Sequence, residues 1–402
     1  MKGWLRIGAT LVVAAGLAWA VVVHGLAASA IGAGDAQTAL RFRPHSAEAL
    51  SLAAEQALAK QDVANADRYA RAALVQMPRD VRALRVLGVA SSLQGHPRLG
   101  SELLLRAGSL SWRDELSQAW LIRAALDQRN YATAAQRIDA MLRGGQLFGQ
   151  MLRLAHDVAT IPDARAALIE RLGEDPPWRE SFFRNMESMP AGAEVGHALL
   201  IEALRAHDGQ LTRREVVAFV NHLTDHANYP LARQVWLRTL EGEARGDVAT
   251  VFDGNFRQDA GAEADQPRYA FEWTLESGHG AMASVGTPPM LVGETALDVR
   301  AGEAEQVLAR QVILLAPGPH TLSYDTAVGD GLSPQGFTWR LACVGGSGLR
   351  VAAGPSRTVG TWRTATLRFD VPHGCGAQRI ELVALASGDG SAEAWFDHVS
   401  AQ

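Results

Sequence analysis

The stretch most suggestive of chemistry is Asn-His-Leu-Thr-Asp-His-Ala-Asn-Tyr, which places His222, Asp225 and His226 at i, i+3 and i+4 of a helical run. On a helix these three share one face. The pattern His-x-x-Asp-His approaches the inverted zinc-protease signature, in which two histidines hold the metal and an acid acts as base. Here the acid is Asp, one methylene shorter than the usual Glu, and a solvated helix face explains the same string. Glu272, Glu276, Asp298 and Glu381 are acids in strand-like segments, where paired carboxylates would suit glycoside hydrolysis and solvent-facing positions are the plainer account. Among the aromatics, Tyr269, Phe271, Trp273 and Leu275 alternate onto one face and read as core. Trp362 shares its face with Thr364 and Thr366, which makes it the better candidate for stacking on a sugar ring, with Arg340 and Arg363 as bidentate donors nearby. No phosphate-binding glycine loop, nucleophile elbow or kinase-type set occurs in the chain.

The elements that must position these residues follow from length and periodicity. At 402 residues the chain exceeds one ordinary core, and 48% apolar with 20% charged residues describes a globular protein. The formal charge of −5 gives no electrostatic case for nucleic acid. Residues 1–6 form a short tip with Lys2 and Arg6, and 7–30 are an uncharged apolar run. Such a run is long enough to cross a bilayer, and the preceding cations predict an inner-membrane anchor with the bulk of the chain in the periplasm. A cleaved signal peptide is the alternative, because Ala28-Ser29-Ala30 has the form of a cleavage site. Either way the compartment is oxidising, and Cys343 and Cys375 are expected to form a disulfide.

Residues 35–246 are rich in Ala, Leu and Arg at helical spacing. Aligning 47–80 with 81–114 gives a period of 34, and a third unit starts at Glu115. Leu50, Ala66, Ala73 and Pro78 recur at matching offsets with Leu84, Leu87, Gly88, Gly100 and Ala107, and with Leu121, Ala125 and Ala134. A looser match covers 213–246, with Ala232 and Trp236. The array resembles tetratricopeptide repeats, which implies antiparallel helix pairs and a surface for a protein partner; a bare spacer is the competing reading.

Beyond about Gly246 the period switches to 2. In 361–371, Ala365, Leu367, Phe369 and Val371 alternate with Thr364, Thr366, Arg368 and Asp370. About nine such segments predict an antiparallel β-sandwich of jelly-roll type over 247–402, so the expected fold class is α then β in separate domains. The order Val-Phe-Asp-Gly-Asn-Phe (251–256), Phe-Glu-Trp (271–273), Trp-Arg-Leu-Ala-Cys (339–343) and Trp-Phe-Asp-His-Val (395–399) is similar to jelly-roll domains related to carbohydrate-binding modules. The resemblance implies that 394–399 form an inner strand with Trp395 and Phe396 on opposite faces, one in the core and the other free for a loop or ligand. Trp395 is therefore a second candidate beside Trp362.

The same resemblance implies a structural calcium held by an acid near the first strand and an aspartate of the last. Asp397 and Asp253 would supply them, although Arg257 stands where related domains carry an acid. No other cofactor is implied. Repeats followed by such a sandwich also resemble anchored bacterial proteins associated with envelope polysaccharide production. That implies a non-enzymatic binding or scaffold protein, possible partners being a protein on the repeats and polysaccharide on the sandwich. The alternatives are a glycan hydrolase or lyase with its acids on the sandwich, and a pure protein adaptor.

Overall fold

The structure, a computed structural model, describes residues 2–206, 211–240, 250–257, 266–288, 294–328, 336–346, 351–353, 361–386 and 392–402, with the side chains of 2–13 and 351–353 set aside. The chain divides into two compact units, 1–179 and 180–402. The expected 246/247 boundary lies outside the described residues.

The first unit opens with α1 (Lys2–Gly32) and α2 (Ala36–Phe42). Within α1, Ala14–Gly32 is long and apolar enough to cross a membrane or to serve as a signal sequence. Three helix pairs follow: α3 (Ala47–Ala59) with α4 (Val63–Gln76), α5 (Val81–Leu93) with α6 (Pro97–Leu110), and α7 (Glu115–Asp127) with α8 (Tyr131–Arg143). First helices start at 47, 81 and 115, and second helices at 63, 97 and 131, so both series advance by 34. The punctuation repeats with them. Ser46, Asp80 and Asp114 each accept the third-residue N–H of the helix they precede, satisfying one of its orphan donors.

The small residues read from the sequence lie where helices touch. A Cβ on Gly100 would come within 2.0 Å of Ser92 Oγ and 2.6 Å of the Gly88 carbonyl, so only glycine fits. Ala66, Ala73, Ala107 and Ala134 are fully buried in the corresponding seams. One cation links successive pairs: Arg85 reaches Glu55 at 2.7 Å and Asp114 at 3.1 Å, the latter also capping α7. Helices α9 (Phe148–Thr160) and α10 (Pro162–Gly173) close this unit.

The second unit contains α11 (Arg179–Arg184, whose first residue belongs to the first unit), a 3-10 turn Met186–Ser188, and α12 (Glu194–Ala206). They are followed by α13 (Arg213–Asp225), α14 (Tyr229–Leu237) and the sandwich. The strands are β1 (Thr274–Leu275), β2 (Met282–Gly286), β3 (Ala296–Arg300), β4 (Gln306–Ile313), β5 (Gly318–Val328), β6 (Phe337–Cys343), β7 (Val351–Ala353), β8 (Arg363–Val371), β9 (Gln378–Ala384) and β10 (Glu393–Ala401). Among the described residues they form two antiparallel five-stranded sheets, ordered β1-β4-β9-β6-β7 and β2-β3-β10-β5-β8. Their inner faces share a core built on Phe256, Trp273, Tyr324, Phe337, Trp339 and Phe396. Cys343 and Cys375 form a disulfide that joins the end of β6 to the turn before β9. Closing a loop of that length contributes about 3–4 kcal/mol on the chain-entropy account.

One expected strand largely gives way. The alternation over 268–276 survives as strand only at Thr274 and Leu275. Its earlier backbone is taken by α13 instead: Arg213 Nε donates to Pro267 O, Asn221 Nδ2 to Arg268 O, and Asn221 Oδ1 accepts from Ala270 N. Tyr269, Phe271 and Trp273 are all buried as expected, but on two sides. Phe271 packs on Trp236 of α14 at 5.3 Å, whereas Trp273 enters the sandwich core.

Arg213 also stacks on the Tyr269 ring at 4.8 Å and pairs with the buried Glu272 carboxylate. Burial pushes the Glu272 carboxyl up, and Arg213 opposes that. Replacing Arg213 by Ala strands a buried carboxylate and is expected to destabilise this unit by about 1–3 kcal/mol at neutral pH. The raised Glu272 makes the folded state bind the extra proton, so the deficit should shrink as pH falls toward 4.5. Denaturation midpoints of wild type and Arg213→Ala across that range check this; a pH-independent deficit would assign the loss to packing alone.

Candidate functional site

The site is built on β10, which pairs with β3 on one side and β5 on the other. Alternation sends Phe396 into the core and Trp395 and Asp397 to the outer face of the sheet. Trp395 lies opposite Asp298 of β3 and Ala327 of β5. Its indole rests on Ala296 and Ala327, with Trp362 packed against the same cluster. The far edge of the ring comes near Gly286 of β2, where an added Cβ would sit 3.6 Å from Trp395 Cη2. Small residues on three strands thus make the seat for this ring. Trp395 is only 8% exposed, so it supports the face; Trp362 is half-buried and is the more accessible indole.

One step along β10 the face turns acidic. Asp397 lies directly opposite Asp325, an arrangement of like charges that costs free energy in an ordinary ladder. A bulge follows between Asp397 and Ser400. His398 there adopts a left-handed φ of 49°, and its Nδ1 lies 3.1 Å from Asp397 Oδ2 and 3.4 Å from Asp325 Oδ2. Thr364 of β8 donates to Asp325 Oδ1 at 2.5 Å. Burial pushes the Asp397 carboxyl up, and Asp325 and Glu294 add to this. The His398 backbone N–H and ring pull the other way. Asp298, on the same face, is likewise raised by burial and by Glu393.

The expected site residues separate into two groups. Trp362 and Trp395 come together, and Asp397 is two residues along β10 from Trp395. Arg340 and Arg363 are not brought to them. Arg340 is on β6 of the other sheet, where it pairs with Glu305 at 2.7 Å, and Arg363, opposite Thr326, alternates away from Trp362. The reason is parity: neighbouring residues of a strand face opposite ways, so Arg363 cannot share the Trp362 face.

Asp253 opens a turn in which Gly254 lies against Val399, with Val399 N donating to Gly254 O at 2.8 Å. The Asp253 carboxylate accepts the Arg257 N–H at 2.9 Å, and Asp397 accepts the His398 N–H at 2.7 Å. Two buried carboxylates already holding backbone donors, with Arg257 close by, are a poor start on the six to eight oxygens that calcium takes.

Sequence reasoning missed Asp325 and His398 as companions of Asp397, because cross-strand pairing and a bulge in β10 leave no mark in an alternating pattern, and it read Thr364 only as a neighbour on the Trp362 face. It also missed a polar cleft of about 1030 Å³ where α13 meets the sandwich, lined among others by Asn221, Arg268, Arg310 and Arg379.

No protein-family model matches this chain, and no curated protein matches it in sequence. Solved structures similar to part of it include the CBM22-1 xylan-binding domain of Xyn10C from Paenibacillus barcinonensis. It is 14% identical, with 32% of this chain and 84% of that one covered at a TM-score of 0.26. A CBM4 module is 18% identical over 38% of this chain and 98% of its own, at 0.29. A Family 16 carbohydrate-binding module-2 is 13% identical over 38% and 99%, at 0.27.

The raised Asp397 carries a sign. Its folded state holds the proton more tightly than the unfolded chain, so stability is lost as pH rises from 3.8 through the folded value, and the cost persists at neutral pH. Asp397→Asn keeps an acceptor for the His398 N–H and removes the charge facing Asp325. It should raise the thermal midpoint at pH 7, with the gain fading as pH approaches 3.8. A lower midpoint at pH 7 would show that the His398 contact outweighs the burial cost.

Proposed function

We propose that this chain is an anchored, extracytoplasmic binding protein of the bacterial inner membrane. In this reading the helix pairs engage a protein partner, the outer face of the β2-β3-β10-β5-β8 sheet engages glycan, and together they serve envelope polysaccharide assembly or export. The observation that carries the reading is the pair of indoles on that face, Trp362 packed against the cluster that seats Trp395, with Asp298, Asp325, Asp397 and Thr364 on the same face. An apolar ring to stack on, flanked by carboxylates and hydroxyls that accept and donate, is what a pyranose ring with its hydroxyls needs. The motif order that resembles carbohydrate-binding jelly rolls supports the same assignment.

The anchor is supported by where α1 is covered. Leu17, Trp19 and Val21 are more than 60% exposed, whereas Ala27 and Ala30 are buried, and Ala30 packs with Ala39 and Ala49. Cleavage after Ala30 would remove one of the three buried members of that cluster, so retention of the segment accords better with the fold. For the helix pairs, the exact 34-residue advance supports their likeness to tetratricopeptide repeats. Val75, Leu93, Leu105 and Leu116 leave apolar side chains uncovered for a partner.

The enzymatic alternative has less to stand on. Glu272, Glu276 and Glu381 are each paired with an arginine, Arg213, Arg310 and Arg379 respectively. Asp298 is on the outer face of the other sheet from β9 and its Glu381.

Retention of the detergent-solubilised whole chain on immobilised polysaccharides tests the proposal. Trp362→Ala should weaken binding about tenfold, equivalent to about 1.4 kcal/mol. Arg340→Ala, on the other sheet, should leave it unchanged. Equal binding by wild type and Trp362→Ala would remove the site, and no retention on any glycan would favour a protein adaptor.

A further inference from the structure

Helix α13 carries a second constellation, remote from the tryptophan face in the chain. His222 and His226 are one turn apart, and their ring centroids lie 4.1 Å from each other. The third member is not the Asp225 of the sequence pattern. It is Glu187, from the turn Met186–Ser188, whose carboxylate lies 3.8 Å from His222 Nδ1. One donor atom from each of these three side chains falls within 4.8 Å of the others. His222 is half-buried, and His226 and Glu187 are exposed, so the cluster is walled on one side and open to solvent on the other.

The tautomer of one histidine is set by its surroundings. His226 Nδ1 lies 2.9 Å from the His222 carbonyl oxygen. A carbonyl only accepts, so Nδ1 carries the proton and Nε2 presents its lone pair outward. Imidazoles that bind metals are commonly fixed by a bond of this kind from the other ring nitrogen.

We propose that Glu187, His222 and His226 form a binding site for a divalent transition metal, zinc in the first instance. Two imidazole nitrogens and one carboxylate oxygen supply three ligands, and the solvent side leaves a fourth position for water. Calcium and magnesium, which take mainly oxygen ligands, fit this donor set poorly. The site joins two elements separated by 35 residues, counted from Glu187 to His222, so a bound ion cross-links the turn to α13. Because α13 also holds the segment 267–272 through Arg213 and Asn221, loading the site tightens the mounting of the sandwich.

The test uses the untagged whole chain, stripped with chelator and titrated with cobalt(II), whose visible absorption reports its coordination. One equivalent is expected to bind and to be displaced by zinc(II), and zinc(II) should raise the thermal midpoint where magnesium(II) does not. His226→Ala should abolish the cobalt spectrum, and Glu187→Gln should weaken cobalt binding at least about tenfold, since losing even a group that only orients a ligand costs about 10–100-fold. Asp225→Asn should leave it within about twofold, which separates this geometry from the helical motif alone. All three variant positions are exposed, so folding is not at stake. Absence of stoichiometric binding by wild type would overturn the proposal. So would binding that survives His226→Ala or Glu187→Gln, or that Asp225→Asn removes.

Discussion

The second unit depends on one strand having partners on both sides. β10 pairs with β3 and with β5, so its register is determined twice over. Because side chains alternate, a slip of one residue would carry Phe396 out of the core and push Trp395 into it. The core cannot absorb that exchange: Phe396 packs edge-on to Trp339 and beside Tyr324, and a close-packed interior tolerates little change of shape. Everything on the outer face inherits this constraint. Trp395 has its seat over Ala296 and Ala327, and Asp397 meets Asp325, only because Phe396 is held where it is.

A second constraint runs from the helices into the sandwich. The segment 267–273 has the alternation of a strand but is not laid against a full-length neighbour. Its N–H and C=O groups need partners nonetheless, since buried backbone polar groups left unpaired cost about 1–3 kcal/mol each. Arg213 and Asn221 supply some of them, and Ala270 O accepts from Val312 N of β4. Residues 267–270 are therefore clamped between α13 and β4. Residues 180–402 consequently form one compact unit, although the hydropathy period changes near residue 246.

How legible was this in the sequence? The 34-residue advance of the helix pairs and the starts of their units at 47, 81 and 115 were readable, because small and apolar residues recur at one interval; the helix ends and the capping groups that repeat with them were not read. The inner position of β10 was also readable, as was the disulfide between Cys343 and Cys375, the chain's two cysteines. What escaped was whatever depends on a partner distant in the chain. The periodicity of 268–276 is that of a strand, yet tertiary hydrogen bonds from α13 override it. Arg363 adjoins Trp362 in sequence and faces away from it. Arg340 is sequentially plausible and lies on the other sheet. Glu187 is invisible as a companion of His222 and His226, because nothing in its local sequence marks it.

The outer face of β10 contains costs that the fold itself does not require. Two aspartates stand opposite each other, Asp397 is buried with its carboxyl pushed up, and His398 holds a left-handed conformation that a non-glycine residue avoids. Asparagine or serine at either acidic position would satisfy the neighbouring donors without the repulsion. Similar costs occur elsewhere in this unit, at the buried, raised Glu272 and at the left-handed Asp253, Phe256 and His279; what is particular to β10 is that two acids face each other beside two indoles. Natural sequences tend to violate local rules where function demands it. The tryptophans alone are explicable as packing; the opposed acids beside them are the feature that packing does not account for.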